Sequence, residues 1–188
     1  MKWALLLLFL SAAAVPASTR YELLGRRFIF DAPSDWREAA RTVTDTVGFL
    51  AFAIPRPGGD SAGPAVNVII NVVLSHRHWD LKTFGDAKLN QLEAGPGNTT
   101  VIDDHVWPDD QSRTALSQGV LHGVPYAVWD KLAVRDSIYV DLRTAVPAAY
   151  GADSVWEARY SAQLDSLIGS FHIGTTSVFA AAPAHGHE

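Results

Sequence analysis

The chain has 188 residues, 48% of them hydrophobic and 19% charged, with a formal net charge of −5 and no cysteine. That length holds one domain with a substantial core, and that composition excludes a disordered chain. The acidic balance offers no basic face to a phosphate backbone, which excludes nucleic acid as a partner, and the missing cysteine excludes disulfides, thiol nucleophiles and thiolate metal sites.

Residues 1–17 read as a secretory signal peptide. Lys2 precedes an apolar run over 3–10, and 11–17 is rich in small residues, with "VPA" ending at Ala17. The run is too short to span a bilayer comfortably, so the mature chain is expected to be secreted or periplasmic with no stable membrane span. With no cysteine after the signal, it is not expected to be a lipoprotein of the usual bacterial kind.

A single domain is expected over 21–173. Within "RRFIFDAPSDW", residues 25–30 read as a short strand that Pro33 ends, and 37–44 as a weaker one. Val47–Ile54, "VGFLAFAI", is apolar on both faces and reads as a central strand covered on both sides. Residues 55–64, "PRPGGDSAGP", are a loop by composition. Residues 65–75 form the clearest strand, with Val66, Val68, Ile70, Val72 and Leu74 on one face. Leu81–Glu93 reads as a helix, with Asp80 as its N-cap and "GPG" at 95–97 as its stop.

Four strands are expected next, at about 100–107, 113–122, 125–135 and 137–146. The tight turns "HGVP" (122–125) and "RDS" (135–137) make neighbours antiparallel. A second helix spans about 154–171, opened by a capping box of Ser154 and Glu157. Trp156, Tyr160, Leu164, Leu167, Ile168 and Phe171 form its apolar stripe. Residues 174–188 read as a flexible, His-containing tail. The sum is an α+β fold, an α/β/α sandwich. Its central, mainly antiparallel sheet has about six to eight strands and a helix on each face.

"SHRHWD" at 75–80 carries the most chemistry. If the strand runs on to residue 78, His76 and His78 point the same way and Asp80 lies near, a set that suits zinc. The run resembles the H-x-H-x-D-H motif of the metallo-β-lactamase superfamily, but Leu81 stands where that family has a further histidine ligand. A strand end followed by a helix cap accounts for the same residues. His185 and His187 in the tail form a second pair able to hold zinc or copper weakly. The rival function is therefore a zinc-dependent hydrolase or a metal-handling protein using His76, His78 and Asp80 or the tail. A hydrolase would need a further ligand such as His105 or His122.

No nucleophile elbow, phosphate loop or dinucleotide fingerprint is present. Asp130, in "YAVWDKLAV", is in phase with Tyr126, Val128, Leu132 and Val134. A carboxylate on an apolar face needs a partner, and Arg143 or Arg135 on a neighbouring strand can supply it; the alternative leaves Asp130 in water at a bulge or edge. Asp103, Asp104, Asp109 and Asp110 flank "HVWP" as an acidic rim, read as a solvated turn.

"FIFDAPSDW", the long strand "AVNVIINVVLS", the strand "SIYVDLRTAVP" and the closing helix ending "LIGSF" together resemble the PsbP-like domains. That group includes the Mog-type Ran-binding proteins and exported bacterial proteins of the DcrB and LpqN kind. The resemblance spans about 21–173 and rests on element order and on Phe28, Pro33, Trp36, Asn67, Pro147, Ser170 and Phe171. It implies an α/β/α sandwich and a non-catalytic protein that binds a partner or assists an envelope assembly. It implies no cofactor and no catalytic residue. The reading is an exported accessory protein acting through a protein partner in the cell envelope. Trp79 and Trp107 are its candidate anchors, beside the 55–64 loop and the 95–110 segment.

Overall fold

The computed structural model describes residues 17–54, 65–108, 111–150 and 154–179, with the backbone alone for 154–156. In chain order come β1 (Ser18–Leu23), β2 (Phe28–Pro33), β3 (Arg37–Val43), β4 (Val47–Ile54) and β5 (Val66–Leu74). They are followed by α1 (Leu81–Glu93), β6 (Thr100–Trp107), β7 (Ser112–Leu121), β8 (Val124–Arg135) and β9 (Ile138–Pro147). A 3₁₀ turn (Ala148–Tyr150), α2 (Ser154–Gly169), β10 (His172–Ile173) and β11 (Thr176–Ser177) complete the described chain.

Seven strands form one antiparallel sheet in the order β3-β4-β5-β9-β8-β7-β6. The period of two sorts its side chains. Val66, Val68, Ile70 and Val72 of β5 are buried on one face, while Asn67, Ile69, Asn71 and Val73 are half-buried on the other. The first face carries the main core. Leu50, Phe52, Val140 and Leu142 pack there against Leu164 and Leu167 of α2, Phe171, and Phe28 and Phe30 of β2. The rings are tilted or edge-on, with Phe171 5.3 Å from Phe28 and 5.5 Å from Phe30.

The opposite face belongs to α1, which runs along β8. Phe84, near its start, packs with Leu132 and Tyr139, while Leu92, near its end, packs with Tyr126, Val128 and Ala145. On β4 the main core covers Leu50 and Phe52, while Val47, Phe49 and Ala51 on the other face are half-buried.

The turns follow backbone demands. His122 and Gly123, both at positive φ, join β7 to β8 in the geometry that favours Gly and tight hairpins. Asp136 at φ 54° makes the turn into β9. α1 starts where Asp80 accepts a hydrogen bond from the Thr83 N–H at 2.7 Å.

Three features depart from the sequence reading. β1, absent from that reading, pairs with β2 from Ser18–Pro33 to Leu23–Phe28. β10 pairs with β2 and with β11, so a second sheet of order β1-β2-β10-β11 lies beside α2. The tail does not begin at 174: the Val178 N–H donates to Phe171 O, and Val178 and Phe179 are buried in the main core. The apolar pair at 178–179 is what holds this segment down. Residues 1–16, the 55–64 loop, Asp109, Asp110 and residues 180–188, with His185 and His187, lie outside the described residues, as do the Ser154 and Trp156 side chains.

Candidate functional site

α1 covers only part of its face of the sheet. Between it and strands β4 and β5 lies a cleft of about 670 Å³, within the range of small-molecule sites. The register sets its floor. Asn71 stands opposite Asp141, Ile69 opposite Arg143 and Asn67 opposite Ala145, while Phe49 and Ala51 of β4 extend the same rows. Leu92, Gln91 and Lys88 of α1 form one wall, and Gly95–Gly97, Thr99 and Leu121 the far rim. The rim is docked by the Val120 N–H, which donates to Gly97 O at 2.8 Å. Gly119 lets it sit so close: a Cβ there would meet Gly97 O at 2.9 Å.

A charge network underlies the cleft. Arg143 Nε donates to Asp130 Oδ1 at 2.7 Å, and Lys88 Nζ pairs with Asp141 Oδ2 at 2.9 Å. Asp130 is fully buried and Asp141 nearly so. Their other oxygens, Asp130 Oδ2 and Asp141 Oδ1, are buried without a hydrogen-bond partner among the described residues. Burial pushes the Asp130 carboxyl up to about 6, against the pull of Arg143. Of the two partners read from sequence for Asp130, the structure selects Arg143. The strand is central, so the alternative of a solvated bulge or edge is overturned.

A second network ties α1 to the sheet edge. Arg113, nearly buried, forks onto Asp104 at 2.8 and 2.6 Å, and donates to Asp86 at 2.7 Å and to Lys82 O at 3.1 Å. The fork holds Asp104 below the usual carboxylate range. Asp104 is thus an ion-pair member rather than part of a solvated acidic turn.

The residues singled out from sequence lie elsewhere. β5 ends at Leu74, before the histidines, and His76 and His78 are exposed on the turn that follows. Asp80 Oδ1 is engaged in capping α1. Among the described residues no three His, Cys, Asp or Glu side chains gather as a metal site. Trp79 is partly exposed, edge-on to Tyr139, whose hydroxyl accepts from the Trp79 N–H at 2.8 Å and donates to Arg77 O. Trp107 is exposed on the edge strand β6. Its Nε1 donates to Thr114 Oγ1 at 3.0 Å and its ring lies against His105 at 4.2 Å.

Trp107 has company. Of the eight large apolar side chains exposed among the described residues, six sit on β6 and β7: Ile102, Val106, Trp107, Leu116, Val120 and Leu121. Sequence reasoning reached this edge through Trp107 and the 95–110 segment but missed its β7 residues and Ile102, which lies at the register shift between Val101 and Asp103 that breaks the alternation of β6. It missed the cleft because Lys88 meets Asp141 only through the docking of a helix on the sheet.

Among solved structures the chain is similar to the Ran-binding protein Mog1p of Saccharomyces cerevisiae. The TM-score is 0.54 at 18% identity, over 88% of this chain and all of that one. It is also similar to cyanobacterial PsbP, CyanoP, from Synechocystis sp. PCC 6803, with a TM-score of 0.51 at 13% identity over 86% and 95% of the two chains. LpqN of Mycobacterium tuberculosis, described as involved in cell envelope biogenesis, aligns with a TM-score of 0.48 at 12% identity over 86% of each chain. No family model matches the chain, and no curated protein matches it. The architecture is a PsbP/Mog-like fold. No helix of the described residues is long and apolar enough to cross a membrane.

Proposed function

We propose that this is an exported, non-catalytic binding or accessory protein that meets a protein partner of the cell envelope through its β6–β7 edge. The observation that carries the reading is the concentration of exposed apolar side chains there. By register Trp107, Leu116 and Val120 share one face of this edge, exposed apolar surface of this kind marks contact sites, and tryptophan is enriched among the residues that dominate binding energy. Mog1p, named for binding Ran, is a protein-binding member of the same fold. The leading segment at 1–17 supports export.

The test is capture from the native envelope with the full chain, comparing wild type with Trp107→Ser/Leu116→Ser and with Trp79→Ser. One protein retained by wild type and by the Trp79 variant, and lost with the edge double variant, supports the reading. Retention by the edge variant with loss at Trp79→Ser moves the contact to the α1 entry turn and overturns it.

A further inference from the structure

We propose that the cleft between α1 and strands β4 and β5 binds a small carboxylic acid with an apolar body, its carboxylate seated on the free side of the Arg143 guanidinium. The cleft shares Leu121 with the exposed apolar side chains of the β6–β7 edge, but its polar end lies on β9 and α1 and does not depend on that edge.

The polar inventory of the cleft is donor-rich. Arg143 uses Nε on Asp130, and its two Nη groups have no partner among the described residues. Lys88 spends one bond on Asp141, and Asn71 and Gln91 line the same space. Planar, parallel N–H groups match a carboxylate best. The remaining lining is apolar: Phe49, Ala51, Ile69, Leu92, Leu121 and Val128 give a hydrocarbon chain or ring a surface to cover. A buried polar pair at one end and apolar walls beyond it define a molecule with one charged head.

The second, independent observation is the pair of orphaned oxygens. Asp130 Oδ2 and Asp141 Oδ1 are buried and unpartnered, and Asp141 lines the cleft. Arg143, Lys88, Asp130 and Asp141 balance to zero charge. An anion entering this neutral cluster leaves it negative unless a proton comes with it. Asp130 does not line the cleft but is bonded to Arg143, which does, and its Oδ2 is left without a partner among the described residues, open to take that proton. Facing it are Arg143 and Asp141 of β9 and Lys88 of α1, while Ala115, opposite it on β7, adds no charge. The acid thus enters neutral: its proton passes to Asp130 and its carboxylate remains on Arg143. A phosphate would bring a second charge that nothing in the cluster compensates, which disfavours it.

Decanoate is the probe and 1-decanol its uncharged match, each titrated into the full chain by calorimetry near neutral pH. Decanoate is expected to bind about tenfold tighter or better, with uptake of a proton read from the dependence of the heat on buffer. In Asp130→Asn/Arg143→Gln, which removes the ion pair as a unit, the preference for acid over alcohol should vanish. Ala51→Trp fills the cleft and should abolish binding of both, whether or not the double variant folds. Equal affinity for acid and alcohol, decanoate binding that survives Ala51→Trp, or no binding at millimolar decanoate would each overturn the proposal.

Discussion

Asp130 stands directly opposite Arg143 across the β8–β9 ladder, bonded through one oxygen at 2.7 Å while the other is buried and unpartnered. A carboxylate held this way is half satisfied, and its ionisation works against folding. Burial raises it to about 6, so between about pH 4 and 6 the folded chain holds a proton that the unfolded chain has released. The corresponding stability, about 3 kcal/mol, is present in full below about pH 4 and is lost as pH rises through 6. Asp130→Asn keeps an oxygen for Arg143 and removes the titration. Urea melts from pH 4 to 7 should show a flatter profile for the variant, and an unchanged slope would assign the dependence to another group.

Arg113 is the joint between α1 and the β6–β7 edge. Its partners Asp104 and Asp86 are partly exposed, so cutting the joint returns them to water and does not strand them in the core. Arg113→Met should therefore cost about 2 kcal/mol, less than breaking a fully buried pair, read as a lower urea midpoint. Arg113→Lys should recover little of it, because an ammonium cannot fork.

Phe179 tests where the domain ends. It lies 5.8 Å from Phe171 with the Lys131 ammonium 4.9 Å from its ring centre, and is almost fully buried. Phe179→Ala should cost about 3 kcal/mol. Truncation after Gly174 should cost more, since β11 and Val178 go with it, whereas truncation after Phe179 should leave the thermal midpoint near that of the full chain.

Asp80 separates the two readings of "SHRHWD". As a cap, it should lose stability on Asp80→Ala and regain it with Asp80→Asn, which accepts the same Thr83 N–H. His76→Ala/His78→Ala should leave the urea midpoint unchanged, since both rings are exposed. Submicromolar zinc binding lost in that double variant would instead make the turn a metal site.

Much of the fold was legible because its main elements are long and either periodic, as in β5, or continuously apolar between turn signals, as in β4. Val47–Ile54 and Leu81–Glu93 were bounded to the residue, and β5 within one residue at each end. Of the second sheet only β2 was legible, placed about three residues early at 25–30. β10 and β11 have two residues each, too few to show a period, and β1, "STRYEL", hides its two inward residues among polar ones. Asp130 was found by its phase within β8 and its partner by cross-strand reach. Lys88 was not, because helix periodicity shows which face is apolar but not which strand it will meet.

The second sheet ties the two ends of the domain together: Phe28 near the start pairs with Ile173 near the finish, and β2 sits between β1 and β10. Pairings so distant along the chain close late. On a ribosome, the strand that completes this sheet and the Phe171–Phe179 contact emerge only after the rest of the domain has been made. The nascent chain therefore lacks this closure until residues 171–179 have emerged, and until then the main core is left without Phe171, Val178 and Phe179.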